Sequence, residues 1–155
     1  HGLEGVTGTA QLSVTAPGFV SANVTETVVQ PAADPIFLPG SISAGAANVD
    51  FQVRIGIPDG LGNSIAQEQV LRFGATPLAV TVNNSNATAG QLVSGAGPGQ
   101  TGSTTVAAGV SRSPTPLANG GVQFDPLAQG VTAVSVAIPG FRVLPASSFN
   151  ITVGP

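Results

Sequence analysis

Sulfur is missing from this chain, since its 155 residues include neither cysteine nor methionine. Disulfides, thiolate nucleophiles and sulfur metal ligands are therefore excluded. No side chain is readily oxidised through sulfur either, which suits a protein outside the cell. We predict an extracellular or cell-surface location.

Charge is scarce as well. Only 7% of the residues are charged, against roughly a quarter in ordinary soluble proteins. Lysine is absent and four arginines carry all the positive charge of the side chains, so no phosphate-tracking surface can be built. The sequence therefore predicts neither nucleic acid nor anionic lipid as a partner.

Long apolar runs are also lacking, and none approaches the roughly 20 residues of a membrane-spanning helix. The chain is nevertheless 42% apolar with a formal charge of −3, which is unlike a disordered protein. We expect one folded domain, or one domain with an extension, and no membrane span.

Residues that carry catalytic chemistry are few. His1 is the only histidine, which excludes a Ser-His-Asp triad and a multi-histidine metal site within one chain. Its amine and imidazole could chelate copper, but the second histidine that closes such a site is absent. A pair of the dispersed carboxylates could still converge in space as in a glycosidase, although no tryptophan or tyrosine offers a sugar-stacking platform. We predict no enzymatic activity and no cofactor.

The loop PDGLGNS, residues 58–64, offers oxygen atoms from Asp59, Asn63 and Ser64. Calcium takes six to eight oxygens and usually several carboxylates. We therefore interpret the loop as a tight turn and expect no metal site.

Alternation with a period of two dominates the chain, most clearly in VDFQVRIGI, residues 49–57. Similar short segments are QLSVTA, LAVTV, VSVAI and FNITV, each bounded by glycine, proline or asparagine turns. IAQEQVLRF, residues 65–73, is ambiguous, although its flanks favour an extended segment. The pattern predicts an all-β protein of eight to ten strands, an antiparallel immunoglobulin-like Greek-key β-sandwich with an N-terminal strand extension. Residues 94–105 are rich in glycine and indicate a mobile loop or a very exposed connection, of which we predict the flexible loop.

One octapeptide occurs twice. LSVTAPGF at 12–19 returns as VSVAIPGF at 134–141, and VTETVVQP at 24–31 is echoed by SFNITVGP at 148–155. The offset grows from 122 to 124, which two inserted residues in the second copy would explain. We predict a leading segment, residues 1–31, that resembles the C-terminal hairpin of a β-sandwich domain, residues 32–155.

Three explanations of the echo stay open. Two strands joined by a Pro-Gly turn are common in β proteins, so the two copies could have arisen by convergence. Residues 1–31 could instead be the closing strands of a preceding repeat in a tandem array. They could also leave their own domain and pair with the sheet of a neighbouring copy.

VQFDPLAQGVTAVSVAIPGF, residues 122–141, resembles the closing strands of bacterial immunoglobulin-like repeats of the invasin and intimin type. The residues that carry this resemblance are Phe124, Pro126, Gly130, Thr132, Val134 and Val136. The resemblance implies a secreted β-sandwich that serves as a spacer, stalk or adhesive module without an active site. The period of about 123 residues is longer than the roughly 100 of a standard sandwich and leaves room for extra strands.

Four Asn-X-Ser/Thr sequons offer possible glycosylation sites at Asn23, Asn83, Asn86 and Asn150. Some are expected by chance in a chain this rich in serine and threonine.

The function that we predict is a structural subunit or repeat of an extracellular filament or surface array, whose partners are copies of itself or adjacent repeats. The residues expected at the junction are Leu12, Val14, Phe19, Val24 and Val28. The alternative is an adhesive or carbohydrate-binding module of a secreted or surface protein.

Overall fold

The computed structural model of the chain describes residues 7–155. Its contacts divide the chain into two compact units, of which the first ends at Gln30 and the second runs from Pro31 to Pro155. Each unit is described below by itself.

The described part of the first unit is a β-hairpin. Strand β1, Gly8–Val14, pairs antiparallel with strand β2, Ala22–Val28, and Leu12 lies directly opposite Val24. Both strands alternate apolar and polar residues, which favours a pleated strand with two chemically different faces.

Residues 31–155 form eleven strands and two 3-10 helices of three residues each. The strands are β3 Ala32–Ile36, β4 Ser41–Ser43, β5 Val49–Pro58, β6 Ile65–Glu68, β7 Leu78–Asn84, β8 Gly90–Ser94, β9 Gly97–Gly99, β10 Thr101–Val106, β11 Val122–Pro126, β12 Gly130–Ala137 and β13 Ser148–Gly154. The 3-10 helices are η1 Leu117–Asn119 and η2 Pro145–Ser147. In the part of the chain that the structure describes, no helix has the length and hydropathy to cross a membrane.

Two sheets organise the second unit. A five-stranded sheet has the order β10-β7-β12-β13-β4, and a six-stranded sheet has the order β3-β5-β11-β8-β9 with β6 added on β5. All of these pairings are antiparallel except the short one between β13 and β4. The prediction of an all-β, antiparallel protein is thus confirmed.

One core cluster draws its side chains from both sheets. Val82 and Ile151 belong to the five-stranded sheet, whereas Phe51, Leu92 and Phe124 belong to the six-stranded sheet, and all five are at most 2% exposed. Inner faces that share one core are the arrangement of a β-sandwich, with which this fold is consistent.

The alternating segments predicted as strands are strands in the structure. VDFQVRIGI lies within β5, where Phe51, Val53 and Ile55 are buried, as period-two alternation requires. Of the ambiguous IAQEQVLRF, only the first four residues form a strand, β6. The rest of that segment is not helical, so its extended interpretation is nearer to the structure.

The prediction of a flexible loop over residues 94–105 is wrong, because this stretch contains β9 and most of β10. Its inward positions are small for a physical reason. A Cβ atom added to Gly102 would lie 3.4 Å from Ser94 Cβ and 3.5 Å from Val122 Cγ1. Because β10 lies close to the opposite sheet, this position requires a small residue. The amino-acid composition of the segment therefore resembles that of a loop.

Candidate assembly interface

The octapeptide forms the same turn in both copies. The Phe19 amide donates to the Ala16 carbonyl over 3.1 Å, and the Phe141 amide donates to the Ile138 carbonyl over 3.1 Å. Pro-Gly occupies the middle of each turn, and the two glycines have φ of 83° and 80°. Proline at the second position and a positive φ at the third define a type II turn. Sequence identity here reflects identical local structure.

The strands around the turn also correspond, but with a different offset from the one expected. Leu12 faces Val24 in the first hairpin, and its counterpart Val134 faces Phe149 in the second. The second strands therefore match at an offset of 125, so the expectation of 124 is wrong by one residue. The connection covers residues 15–21 in the first hairpin and 138–147 in the second, where η2 supplies three additional residues.

The corrected register gives the leading hairpin one polar face and one face that is apolar except for Glu26. Directly opposed residues lie on the same face of an antiparallel pair. The pairs Leu12–Val24 and Val14–Ala22 share a face with Val28, whereas Gln11–Thr25 and Ser13–Asn23 lie on the other face. On that polar face the Ser13 hydroxyl donates to Asn23 Oδ1 over 2.5 Å.

Equivalent residues of the two hairpins differ sharply in burial. Val134 and Val136 of β12 are 0% and 4% exposed in the core, whereas their counterparts Leu12 and Val14 are 52% and 68% exposed. Every residue from 7 to 30 is exposed. The leading hairpin thus presents an apolar face whose counterpart forms part of a hydrophobic core.

Four of the five residues predicted at the junction lie together on this face: Leu12, Val14, Val24 and Val28. Phe19 is 79% exposed but follows the Pro-Gly turn, outside both strands. Sequence reasoning missed Ala10 and Glu26, which are opposed on the same face. Correct alignment of the two hairpins would have revealed them, because Glu26 then corresponds to the buried Ile151.

The sequon asparagines differ in accessibility. Asn23, Asn83 and Asn150 are exposed. Asn86 is half-buried, and its Nδ2 donates to the Val131 carbonyl over 3.0 Å while its Oδ1 accepts from the amides of Thr88 and Ala89. The side-chain amide that would carry a glycan is thus already bound at Asn86.

The loop predicted as a tight turn is organised by one carboxylate. Asp59 accepts hydrogen bonds from the backbone amides of Leu61, Asn63 and Ser64 and from the Ser64 hydroxyl, over 2.7–3.1 Å. The amide of Asn63 is the largest of several donors that lower the pKa of Asp59. The side-chain oxygens of Asp59 and Ser64 thus take part in hydrogen bonds of the turn itself.

Two ion pairs lie on the six-stranded sheet. Arg54 binds Asp34 through two bonds of 3.0 and 2.6 Å, and Arg112 binds Glu68 through two bonds of 2.5 and 2.9 Å. Arg112 also lies 5.7 Å from the ring centroid of Phe37. Its hydrogen bond to Glu68 lowers the pKa of that carboxyl and raises the pKa of the guanidinium. The Asp34–Arg54 pair joins β3 to β5, and the Glu68–Arg112 pair joins β6 to the segment after β10.

Within residues 7–155, no three histidine or acidic side chains come together as metal ligands would. The copper hypothesis for His1 falls outside the described residues, as does Glu4. Compared with known protein families and with curated proteins, the chain has no match.

Proposed function

We propose that this protein is a self-associating structural subunit or repeat of an extracellular filament or surface array. Its leading hairpin joins neighbouring units, by donation to another chain or by stacking in a tandem chain. The single observation that carries this proposal is the exposed apolar face of a hairpin whose structural counterpart forms part of a core.

Energetic considerations favour a partner for this face. An isolated two-stranded hairpin is marginally stable at best in water. Full burial of one leucine or valine side chain contributes about 1.5–3 kcal/mol, and this face carries Leu12, Val14, Val24 and Val28. Covering it in an assembly would stabilise the hairpin and join two units at once.

The proposal includes an immunoglobulin-like Greek-key topology of the invasin and intimin type. It is supported by consecutive strands that belong to opposite sheets. Strands β7 and β10 lie in the five-stranded sheet, whereas β8 and β11, which follow β7 and β10 in the chain, lie in the six-stranded sheet. Such a module would be a spacer or stalk, for which the absence of sulfur chemistry and the low charge are suitable.

The test uses the full chain with paired carboxylates on one face of the hairpin or the other. Leu12→Asp with Val24→Asp places two charges on the apolar face, and Gln11→Asp with Thr25→Asp places two equally opposed charges on the polar face. Light scattering and negative-stain electron microscopy then report the assembly of each variant and of the unmodified chain. Circular dichroism verifies that the sandwich is folded.

We expect oligomers or filaments from the unmodified chain and from the polar-face variant, and loss of assembly in the apolar-face variant. Both variants place like charges on directly opposed residues of the hairpin, so a difference between them reports the apolar contact. A monomeric unmodified chain, or equal assembly of both variants, would refute the proposal.

A second function is favoured by the outer face of the five-stranded sheet. Apart from the exposed Val131, this face carries mainly hydroxyl and amide side chains and no charge: Ser41, Thr81, Asn83, Thr101, Ser103, Thr105, Asn150 and Thr152. Such a surface could bind carbohydrate, as an adhesive module would. It ranks second because no aromatic residue of this face can stack on a sugar. Retention of the chain on insoluble polysaccharide, lost in Asn83→Asp, would support it.

A further inference from the structure

Strand β10 is an open edge of the five-stranded sheet, since β7 is its one partner among the described strands. The backbone amide of Asn84 donates a hydrogen bond to the backbone carbonyl of Gln100 over 2.8 Å. Backbone groups alternate in direction along an antiparallel strand, so Gly102, Thr104 and Val106 bond to β7. The amides and carbonyls of the residues between them point away from the sheet: Thr101, Ser103 and Thr105.

The other three sheet ends are protected. Strands β4 and β9 have three residues each, and Pro98 interrupts β9. Strand β3 is covered by the segment before β13, because the Arg142 amide donates to the Pro31 carbonyl and the Ser147 hydroxyl donates to the Ala33 carbonyl. By contrast, β10 has six residues without proline or charge, which is the kind of edge that invites pairing.

Strand β1 lacks a neighbour that its counterpart has. In the C-terminal hairpin, β12 pairs with β13 on one side and antiparallel with β7 on the other. Strand β1 pairs with β2 alone within the described residues. The free edge of β1 therefore corresponds to the edge that holds an antiparallel strand in the other copy.

We propose that β1 pairs antiparallel with β10 of a second copy of this chain, so that the hairpin extends the five-stranded sheet to seven strands. This inference rests on the proposed function and names the surface that receives the hairpin. The polar face with Gln11 and Ser13 would continue the hydroxyl-rich outer face that carries Ser103 and Thr105. The apolar face would then lie on the inner side of the extended sheet.

Glu26 lies on β2, whereas β1 carries no charge. In the extended sheet β2 is outermost. Glu26 shares the inward face with Leu12 and Val24, and an inward-pointing charge on an outermost strand discourages further strand pairing. The contact joins two different surfaces, hairpin and β10, and such a heterologous contact propagates from copy to copy unless it closes into a ring.

Amide hydrogen exchange provides the first test. The amides of Thr101, Ser103 and Thr105 should exchange at least about tenfold more slowly in the assembled chain than in the apolar-face variant Leu12→Asp with Val24→Asp. The amides of Gly102 and Thr104 serve as internal controls, because they bond to β7 in every state. Oligomers without this protection would overturn the inference but leave the proposed function standing.

Cross-linking provides the second test, and the absence of cysteine makes any introduced thiol unique. Chains carrying Gln11→Cys are mixed with chains carrying Ser103→Cys and mildly oxidised. Directly opposed Cβ atoms lie about 4.5–5.5 Å apart, near the range for a disulfide. Thr101→Cys and Thr105→Cys extend the search to registers shifted by two residues. Ser41→Cys, exposed on the same face but at the opposite edge, is the matched control.

We expect mixed disulfide dimers with the β10 variants and none with Ser41→Cys. Dimers with Ser41→Cys alone, or dimers of Gln11→Cys with itself, would place the hairpin elsewhere and overturn the inference. An unmodified chain that remains monomeric would refute the proposed function and this inference together.

Discussion

Asp59 shows what a single residue contributes to a loop without regular structure. Its carboxylate accepts four hydrogen bonds within residues 59–64. Residue types alone left this loop open to interpretation as a calcium ligand set or a turn. The distinction depends on where the backbone amides point, which composition does not specify.

The lowered pKa of Asp59 predicts a pH dependence of stability. Because the folded-state pKa lies below the unfolded one, the stabilisation is complete above the ordinary aspartate pKa. It is lost as pH falls through the lowered folded-state value. We expect Asp59→Asn to reduce the thermal midpoint at neutral pH, and the difference from the unmodified chain to shrink in strong acid.

Thermal unfolding followed by circular dichroism across the acidic range measures this difference. Asp50→Asn is the control, because Asp50 is exposed and accepts one hydrogen bond from the Gln123 side chain. A difference for Asp59→Asn that stayed constant down to strong acid would contradict the linkage.

At the scale of elements, alternation and turn chemistry were sufficient to predict the principal strands and the repeated Pro-Gly corner. Strand β10 was missed because Gly102 and Thr104 occupy inward positions where a typical strand has large apolar side chains. The offset of the second hairpin was also wrong by one residue, since matching the terminal prolines placed polar residues against apolar ones. The register of a hairpin depends on the length of its loop and on which residues pair. Matching identical residues in the sequence does not determine either.

Gly56 is an element-scale determinant of how β6 lies against β5. A Cβ atom there would lie 2.2 Å from the Gln67 carbonyl oxygen and 2.6 Å from Ile65 Cγ2. We expect Gly56→Ala to lower the free energy of unfolding by about 1–3 kcal/mol, since the β6 backbone must move. Chemical denaturation measures the loss.

Gly60→Ala provides the matched comparison, because Gly60 is exposed and a Cβ atom there meets nothing within 4 Å. We expect a change within about 0.5 kcal/mol. Equal effects of the two substitutions would show that β6 does not restrict β5 in this way.

At the scale of the whole molecule, the sequence was sufficient to predict the all-β class and the location of the apolar hairpin residues. It could not show that four of the five predicted contacts share one exposed face, or that β10 forms an open edge. Both facts depend on strand pairing and register, which the pattern of residue types does not specify. Phe19 was included because it belongs to the repeated octapeptide, yet the turn separates it from both strands.

The scarcity of charge predicts that assembly is insensitive to ionic strength. The proposed contact consists of apolar burial and backbone hydrogen bonds, and salt screens mainly interactions between exposed charges. We expect the oligomers to persist in about 1 M sodium chloride and to be strengthened by sulfate, which favours apolar burial.

Light scattering at fixed protein concentration across a salt series tests this. The samples contain no carrier protein, so the scattering reports this chain alone. Dissociation as sodium chloride increases would instead indicate a contact held by ion pairs, such as one between Glu26 and an arginine.

The two ion pairs on the six-stranded sheet have a consequence for digestion. A trypsin-like protease cleaves after lysine or arginine, and this chain offers four such positions in all. At Arg54 and Arg112 the guanidinium is bound by a carboxylate and the backbone is paired with a neighbouring segment. Cleavage requires an extended, accessible substrate segment, so these two sites are closed while the sheet is intact. Resistance of these two peptide bonds to a trypsin-like protease therefore reports that the sheet is intact.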